Sequence, residues 1–421
     1  MSLVITGVTL ADGGVRDLAI DGGRFVEVTD APAGAERIDG SGLLALPGLV
    51  DLHTHLREPG KEDAETVASG TLAAARGGFT AVFAMPNLDP ATDTAEAAAY
   101  VADLGRRDGH CEVVPIGAVT KGREGTELAE LGLMAAQGVR VFSDDGACVH
   151  DSLIMRRALT YLKPFDGVVA QHAQDPRLAG PGACCHESEI SGRLGLPGWP
   201  AVAESTIIAR DVQLAEFTGG RYHACHISTA ESVDVIRWAK ARGKAQVTAE
   251  VTPHHLLLDT PHVESFDTTY KVNPPLRTSE HLEALRAALA DGTIDIVGTD
   301  HAPHTVQDKD HPFDVAAPGM LGLEQALAVV MEVMVNTGRL DWAGLADRMS
   351  VAPARIGRLA HQGRPLAVGE PAHLVLVDPS RRETVDKSRS ASKSRNNPYH
   401  GLDLPDPVEL TVWAGRITHR R

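Results

Sequence analysis

Hydrophobic and polar residues alternate along this chain in short registers that change in a regular order. Eight strand-like runs lie within residues 48–362: 49–56, 80–86, 111–120, 138–145, 167–174, 221–229, 244–254 and 295–303. Ala-rich stretches with helical spacing separate them, at 64–76, 92–107, 127–137, 152–162, 202–217, 230–242 and 279–290, and 322–336 supplies an eighth. Glycines punctuate the helix ends at Gly77, Gly109, Gly138, Gly219, Gly243 and Gly292. Eight strand and helix pairs in alternation predict an α/β chain of the (β/α)8 TIM-barrel class, with its active site at the carboxyl ends of the strands.

The two ends of the chain have a different texture. Short alternating runs at 3–10, 17–21 and 24–28 are separated by Gly-Gly turns, and similar runs return at 373–378 and 408–418. Strands need partners, so residues 1–47 and 363–421 are expected to pair into one small antiparallel β domain, discontinuous in sequence, around the catalytic unit 48–362. Residues 387–399, rich in Ser, Lys, Arg and Asn, read as an exposed loop.

In the first run, Val50, Leu52, Thr54 and Leu56 alternate with Asp51, His53, His55 and Arg57. The period of two points His53 and His55 the same way, where two imidazoles one pleat apart can reach one metal ion. About one His-x-His pair is expected by chance in 421 residues with 19 His. The weight of the pair therefore depends on the other strand ends. Those carry Asn87, then Asp144 and Asp145, His172, His226, the cluster Thr252 to His255, and Asp300. Four imidazoles divided between two ions, with a carboxylate shared by both, make a binuclear site that activates a water and polarises a carbonyl. His254 and His255 are open to two readings, support of the metal ligands or hydrogen bonding in the core.

The formal net charge of −16 makes a nucleic-acid or anionic-membrane surface improbable, so an anionic substrate needs local cations. No apolar run approaches the ~20 residues of a membrane span and no secretory signal is visible, so a cytoplasmic protein is expected. Five cysteines without Cys-x-x-Cys spacing read as free thiols. Two long segments on the predicted rim, 180–199 and 305–319, are candidate lids, the second favoured because it follows His304.

Asp51-Leu-His-Thr-His-Leu-Arg-Glu-Pro-Gly60, Gly77-Gly-Phe-Thr80 running to Met85-Pro-Asn87, Lys271-Val-Asn-Pro-Pro-Leu-Arg277 and Gly298-Thr-Asp-His-Ala-Pro-His304 resemble the motifs of the dihydroorotases in the amidohydrolase superfamily, over nearly the whole chain. The resemblance implies two zinc ions, one held by His53, His55 and Asp300 and the other by His172 and His226. Many relatives bridge the metals with a carboxylated lysine; this chain has none at the fourth strand end, which resembles the branch with an Asp bridge, here Asp145 in preference to Asp144. It further implies that Arg57, Asn87 and His304 hold a substrate carboxylate and that Asn273 contacts a ring amide. The expected reaction is the reversible cyclisation of N-carbamoyl-L-aspartate to L-dihydroorotate in pyrimidine biosynthesis, by a zinc-bound hydroxide with Asp300 as general acid and base. A homo-oligomer and association with aspartate carbamoyltransferase are expected partners. The rivals are an allantoinase or hydantoinase, and a non-catalytic assembly partner of aspartate carbamoyltransferase.

Overall fold

The computed structural model describes residues 2–421. A parallel strand overlaps each of the eight predicted runs: Leu49–Thr54, Phe79–Ala84, Glu112–Pro115, Val141–Phe142, Val168–Gln171, Arg221–Ala224, Gln246–Val251 and Ile296–Val297. They are called the first to eighth strands below. The first three pair in sequence order, as do the last five. Parallel bridges join the two sets, Gly117 with Phe142 on one side and Thr54 with His301 on the other. The strands are shorter than the runs that predicted them, because each run continued into the loop that carries the polar residues. In the seventh the run breaks at Pro253, which opens the short helix Pro253–Leu257.

Every residue of the first and second strands is buried. Parallel strands covered on both faces need apolar or satisfied side chains on each, so the alternation in the first strand marks two interiors and no solvent face. One apolar cluster gathers Val50, Leu52, Phe83, Val141, Ala170 and Ile296 from around the strands. A larger one lies between strands and helices and includes Leu49, Val82, Val169, Tyr222 and Ala249.

Helices start where Thr or Asp can accept from a free backbone N–H. Thr66, Thr94, Asp151 and Thr229 do so for the helices Val67–Arg76, Ala95–Asp108, Ser152–Leu162 and Ala230–Arg242. Gly219, Gly243 and Gly292 end helices in the left-handed region, as expected. Gly77 does not; it is needed because a Cβ there would lie 2.2 Å from the Leu323 carbonyl oxygen. The expected eighth helix is a composite of the 3-10 turn Leu323–Gln325, the α-helix Ala326–Val330 and the π-helical turn Met331–Val335.

The terminal segments form an eight-stranded sheet in which Leu374–Val377 pairs with both Leu44–Pro47 and Val408–Trp413. It is mixed rather than antiparallel, because Leu3–Leu10 runs parallel to Glu36–Asp39 and Leu44–Pro47. One face has its own core of Leu3, Ile5, Ile20, Phe25, Leu374 and Leu410. Leu44, Leu46, Val375 and Val377 join the main cluster.

The segment 387–399 also departs from expectation. Ser392, Ser394, Asn396 and Asn397 are buried with their side chains bonded to residues 64–65 and 302–325, and Tyr399 is buried with its hydroxyl unpartnered.

Candidate active site

The carboxyl ends of the strands bring His53, His55, Asp145, His172, His226 and Asp300 into one buried cluster. His55 lies past the end of the first strand, and its backbone N–H donates to the His301 carbonyl at 2.9 Å. Three site residues hold positive φ, Arg57 at 63°, His226 at 31° and Asp300 at 46°. L-residues reach that region only when their surroundings impose it. Arg57 thus arrives by a turn and not by a further pleat.

Asp145 is central. Its carboxylate oxygens lie 3.4 Å from His53 Nε2, 3.3 Å from His55 Nε2, 3.4 Å from His172 Nδ1 and 3.3 Å from His226 Nε2. Asp144 turns away, accepting from the backbone N–H groups of Val119 and Thr120 at 2.8 and 3.0 Å and from the Thr120 hydroxyl. Asp300 Oδ1 lies 3.1 Å from His55 Nε2 and 3.5 Å from His53 Nε2. His53 Nε2 is buried among these carboxylates with no hydrogen bond of its own.

The groupings His53, His55 and Asp300, and His53, Asp145 and His226, are each compact enough to hold a metal ion. His172 adjoins the second, with Nδ1 2.9 Å from His226 Nε2. Imidazole and carboxylate donors of this kind suit Zn and other divalent metals. Burial works against charge on Asp145, but the His53 charge and the His172 and His226 hydrogen bonds outweigh it and hold the carboxyl well below its ordinary range. Burial likewise opposes charge on Asp300, and His55 with the neighbouring imidazoles keeps it low.

The outer nitrogens of the imidazoles are fixed by partners. Glu250, in the seventh strand, lies 2.5 Å from His53 Nδ1 and 3.1 Å from His223 Nε2, and accepts from the His226 backbone N–H at 3.2 Å. Asn87 Oδ1 lies 2.8 Å from His55 Nδ1, and Gln174 Oε1 lies 2.8 Å from His172 Nε2. Asp51 accepts from the Thr299 and His53 backbone N–H groups, tying the first strand to the loop before Asp300. Glu250, His223, Gln174 and Asp51 were not among the expected site residues. A signal for Glu250 exists in Gly298, where a Cβ would sit 2.5 Å from Glu250 Oε2.

Of the expected substrate contacts, Arg57 and His304 meet, with Arg57 Nη2 3.4 Å from His304 Nε2 and Arg57 Nε donating to the Pro303 carbonyl at 3.1 Å. Burial lowers Arg57 to about 10, which leaves it charged at neutral pH. Burial and then the Arg57 charge lower His304 to about 3, so it is neutral there. Asn87 is committed through Oδ1 to His55, with Nδ2 left over. Asn273 Nδ2 donates to Gln174 Oε1 at 3.3 Å, and its Oδ1 is buried without a partner. His255 is structural, held by Thr252 and by the Pro274 and Pro275 carbonyls. Both ring nitrogens of His254 are buried and unpartnered. The two candidate lids contribute to one small apolar cluster, Cys184 and Cys185 from the first and Phe313 from the second, together with Val263. All five cysteines are free.

A family model described as dihydro-orotase-like matches residues 42–232. The dihydroorotase of Streptomyces coelicolor is 58% identical over 420 residues, spanning 99% of this chain and 97% of its own. That of Mycobacterium tuberculosis is 50% identical over 426 residues, spanning 100% of this chain and 99% of its own. Among solved structures, an L-hydantoinase from Arthrobacter aurescens shares the fold with a TM-score of 0.89 at 24% identity, covering 99% of this chain and 96% of that one. Fold and site together define a cyclic-amide hydrolase of the amidohydrolase type. The likeness to whole dihydroorotases is closer than that, and the chain belongs to the dihydroorotase family.

Proposed function

We propose that this chain is a dihydroorotase that interconverts L-dihydroorotate and N-carbamoyl-L-aspartate, and that its parallel strands form a (β/α)8 barrel of residues 48–362 with a small β domain of residues 1–47 and 363–421. The observation that carries the substrate assignment is Arg57 beside His304 on the same rim as the His and Asp cluster. A guanidinium and a neutral imidazole suit a carboxylate substituent on the ring, which hydantoin and allantoin lack.

Two zinc ions, held by His53, His55 and Asp300 and by His172 and His226 with Asp145 between them, would supply Lewis acidity toward the ring carbonyl and a nucleophilic water at neutral pH. Arg57, His304 and the free Nδ2 of Asn87 hold the substrate carboxylate. Asn273 contacts the ring amide through its unpartnered Oδ1. Asp300, beside His55, takes a proton from the attacking water and delivers it to the ring nitrogen as the amide bond breaks, and in the cyclising direction it returns that proton. All six ligand positions are kept, which supports catalysis over a purely structural role beside aspartate carbamoyltransferase. Association with that enzyme and self-association remain part of the proposal. No helix among the described residues is long and apolar enough to cross a membrane, and the free thiols support a cytoplasmic setting.

Hydrolysis of L-dihydroorotate, with metal content measured on the same sample, tests the reading. Turnover of dihydroorotate should exceed that of hydantoin and allantoin by orders of magnitude, and equal turnover would replace it with a general cyclic amidase. Asp300→Ala should fold and lose activity by several orders of magnitude; near-normal turnover would remove Asp300 from the mechanism.

A further inference from the structure

Residues 391–397, between the paired strands Arg382–Thr384 and Asp403–Pro405, cross to the rim and are tied down along their length. The Lys393 backbone N–H donates to Glu65 at 3.1 Å, the Ser394 hydroxyl donates to the Ala64 carbonyl at 2.7 Å, and the Ser392 hydroxyl donates to Glu65. Glu65 in turn lies 3.2 Å from His301 Nε2, next to Asp300.

At the tip of this strap, Asn396 is 4% exposed and uses its whole amide on the turn that carries His304. Nδ2 donates to the Ala302 carbonyl at 2.9 Å and to the Gly319 carbonyl at 3.0 Å, and Oδ1 accepts from the His304 backbone N–H at 3.2 Å. The Asn396 carbonyl also accepts from the Leu321 N–H at 3.0 Å. Ala302 and Gly319 are the two ends of the excursion 303–318, so one side chain closes its neck. The neck is tight against the imidazole: His304 Nε2 lies 2.8 Å from the Pro318 carbonyl oxygen, and a Cβ on Gly319 would lie 2.7 Å from the same nitrogen.

We propose that Asn396 is a positioning residue for substrate, supplied by the carboxyl-terminal segment, which fixes His304 against Arg57 in the geometry that receives the substrate carboxylate. The inference rests on the reading of His304 as a carboxylate contact. No single aliphatic or acidic side chain replaces Asn396, because the position demands two donors and one acceptor in one plane.

Steady-state kinetics on L-dihydroorotate test it, with Asn396→Ala, the nearly isosteric Asn396→Asp, His304→Gln and the combination of Asn396→Asp with His304→Gln. Wild-type turnover is established first; its absence would sink the substrate reading, and this one with it, before any variant is compared. Given that turnover, both Asn396 variants should raise KM at least tenfold, keep kcat within about threefold and retain wild-type metal content. The double variant should lose no more in kcat/KM than His304→Gln alone, since residues acting through one another are not additive. Asn396→Asp covers the case in which Asn396→Ala fails to fold. An unchanged KM, a loss confined to kcat, loss of metal, or losses that multiply in the double variant would each overturn the proposal. Ser394→Ala, which cuts the strap's anchor to Ala64 and leaves the Asn396 bonds to the His304 turn in place, should lower the melting temperature without moving KM.

Discussion

Glu250 shows how much one buried residue sets here. It contacts no reacting position, yet its two oxygens face His53 Nδ1 and His223 Nε2 and its Oε1 also accepts from the His226 backbone. A carboxylate behind a metal-binding imidazole fixes the ring and raises its basicity, and loss of such a partner typically costs about 10–100-fold in metal affinity. Glu250→Gln should therefore weaken metal binding by roughly that factor, measured by competition with a chromophoric chelator. Gly298→Ala should do the same by displacing the carboxylate sterically. Wild-type affinity in both variants would reduce Glu250 to a packing role. At this scale the sequence was legible where residues alternate or follow a strand end, as His53, His55 and Asp300 do. Glu250 sits within a strand, where periodicity says only that a residue is inside, and its partner His53 is 197 residues away.

Among the elements, periodicity found the strands and most helices because their burial patterns are one-sided or apolar. It failed at 387–399 for a physical reason: a polar strap that satisfies buried backbone groups has the same composition as a loop that satisfies water. Ser392, Ser394 and Asn396 are Ser and Asn in either case. It also missed the parallel pairings of Leu3–Leu10, since alternation is the same in both senses of pairing. The contact between the terminal sheet and the turn before the second strand can be tested at Gly78. Its φ is +88°, and a Cβ there would lie 2.9 Å from Val375 Cγ2 across that contact. Gly78→Ala combines a strained backbone with overpacking and should cost about 1–3 kcal/mol, read as a lower denaturation midpoint with kcat/KM on dihydroorotate unchanged. An unshifted midpoint would show that the sheet packs loosely against that turn.

Across the whole molecule, the buried histidines decide how acid acts on the fold. Burial is the first cause that lowers His186, His255 and His373 to about 4 and His304 to about 3, against an ordinary 6.5. These sites lie in the short strand Cys185–His186, in the helix after the seventh strand, just before the sheet strand Leu374–Val377 and on the rim. Between pH 6.5 and about 4 the unfolded chain binds protons at all four and the folded chain does not, so unfolding takes up protons and the free energy of unfolding rises with pH. The stability they allow at neutral pH is therefore lost as pH falls through that window. The net charge of −16 acts in the opposite direction, because acidification relieves its self-repulsion. Melting temperature alone mixes the two, whereas proton uptake separates them. Calorimetric unfolding at pH 5.5 in buffers of different ionisation enthalpy counts the protons. The variant carrying His186→Gln and His373→Gln should take up about two fewer than wild type, with the metal-site contribution cancelling in the difference. Equal uptake would mean that these imidazoles titrate in the folded protein as they do in the unfolded chain, and that acid lability arises elsewhere.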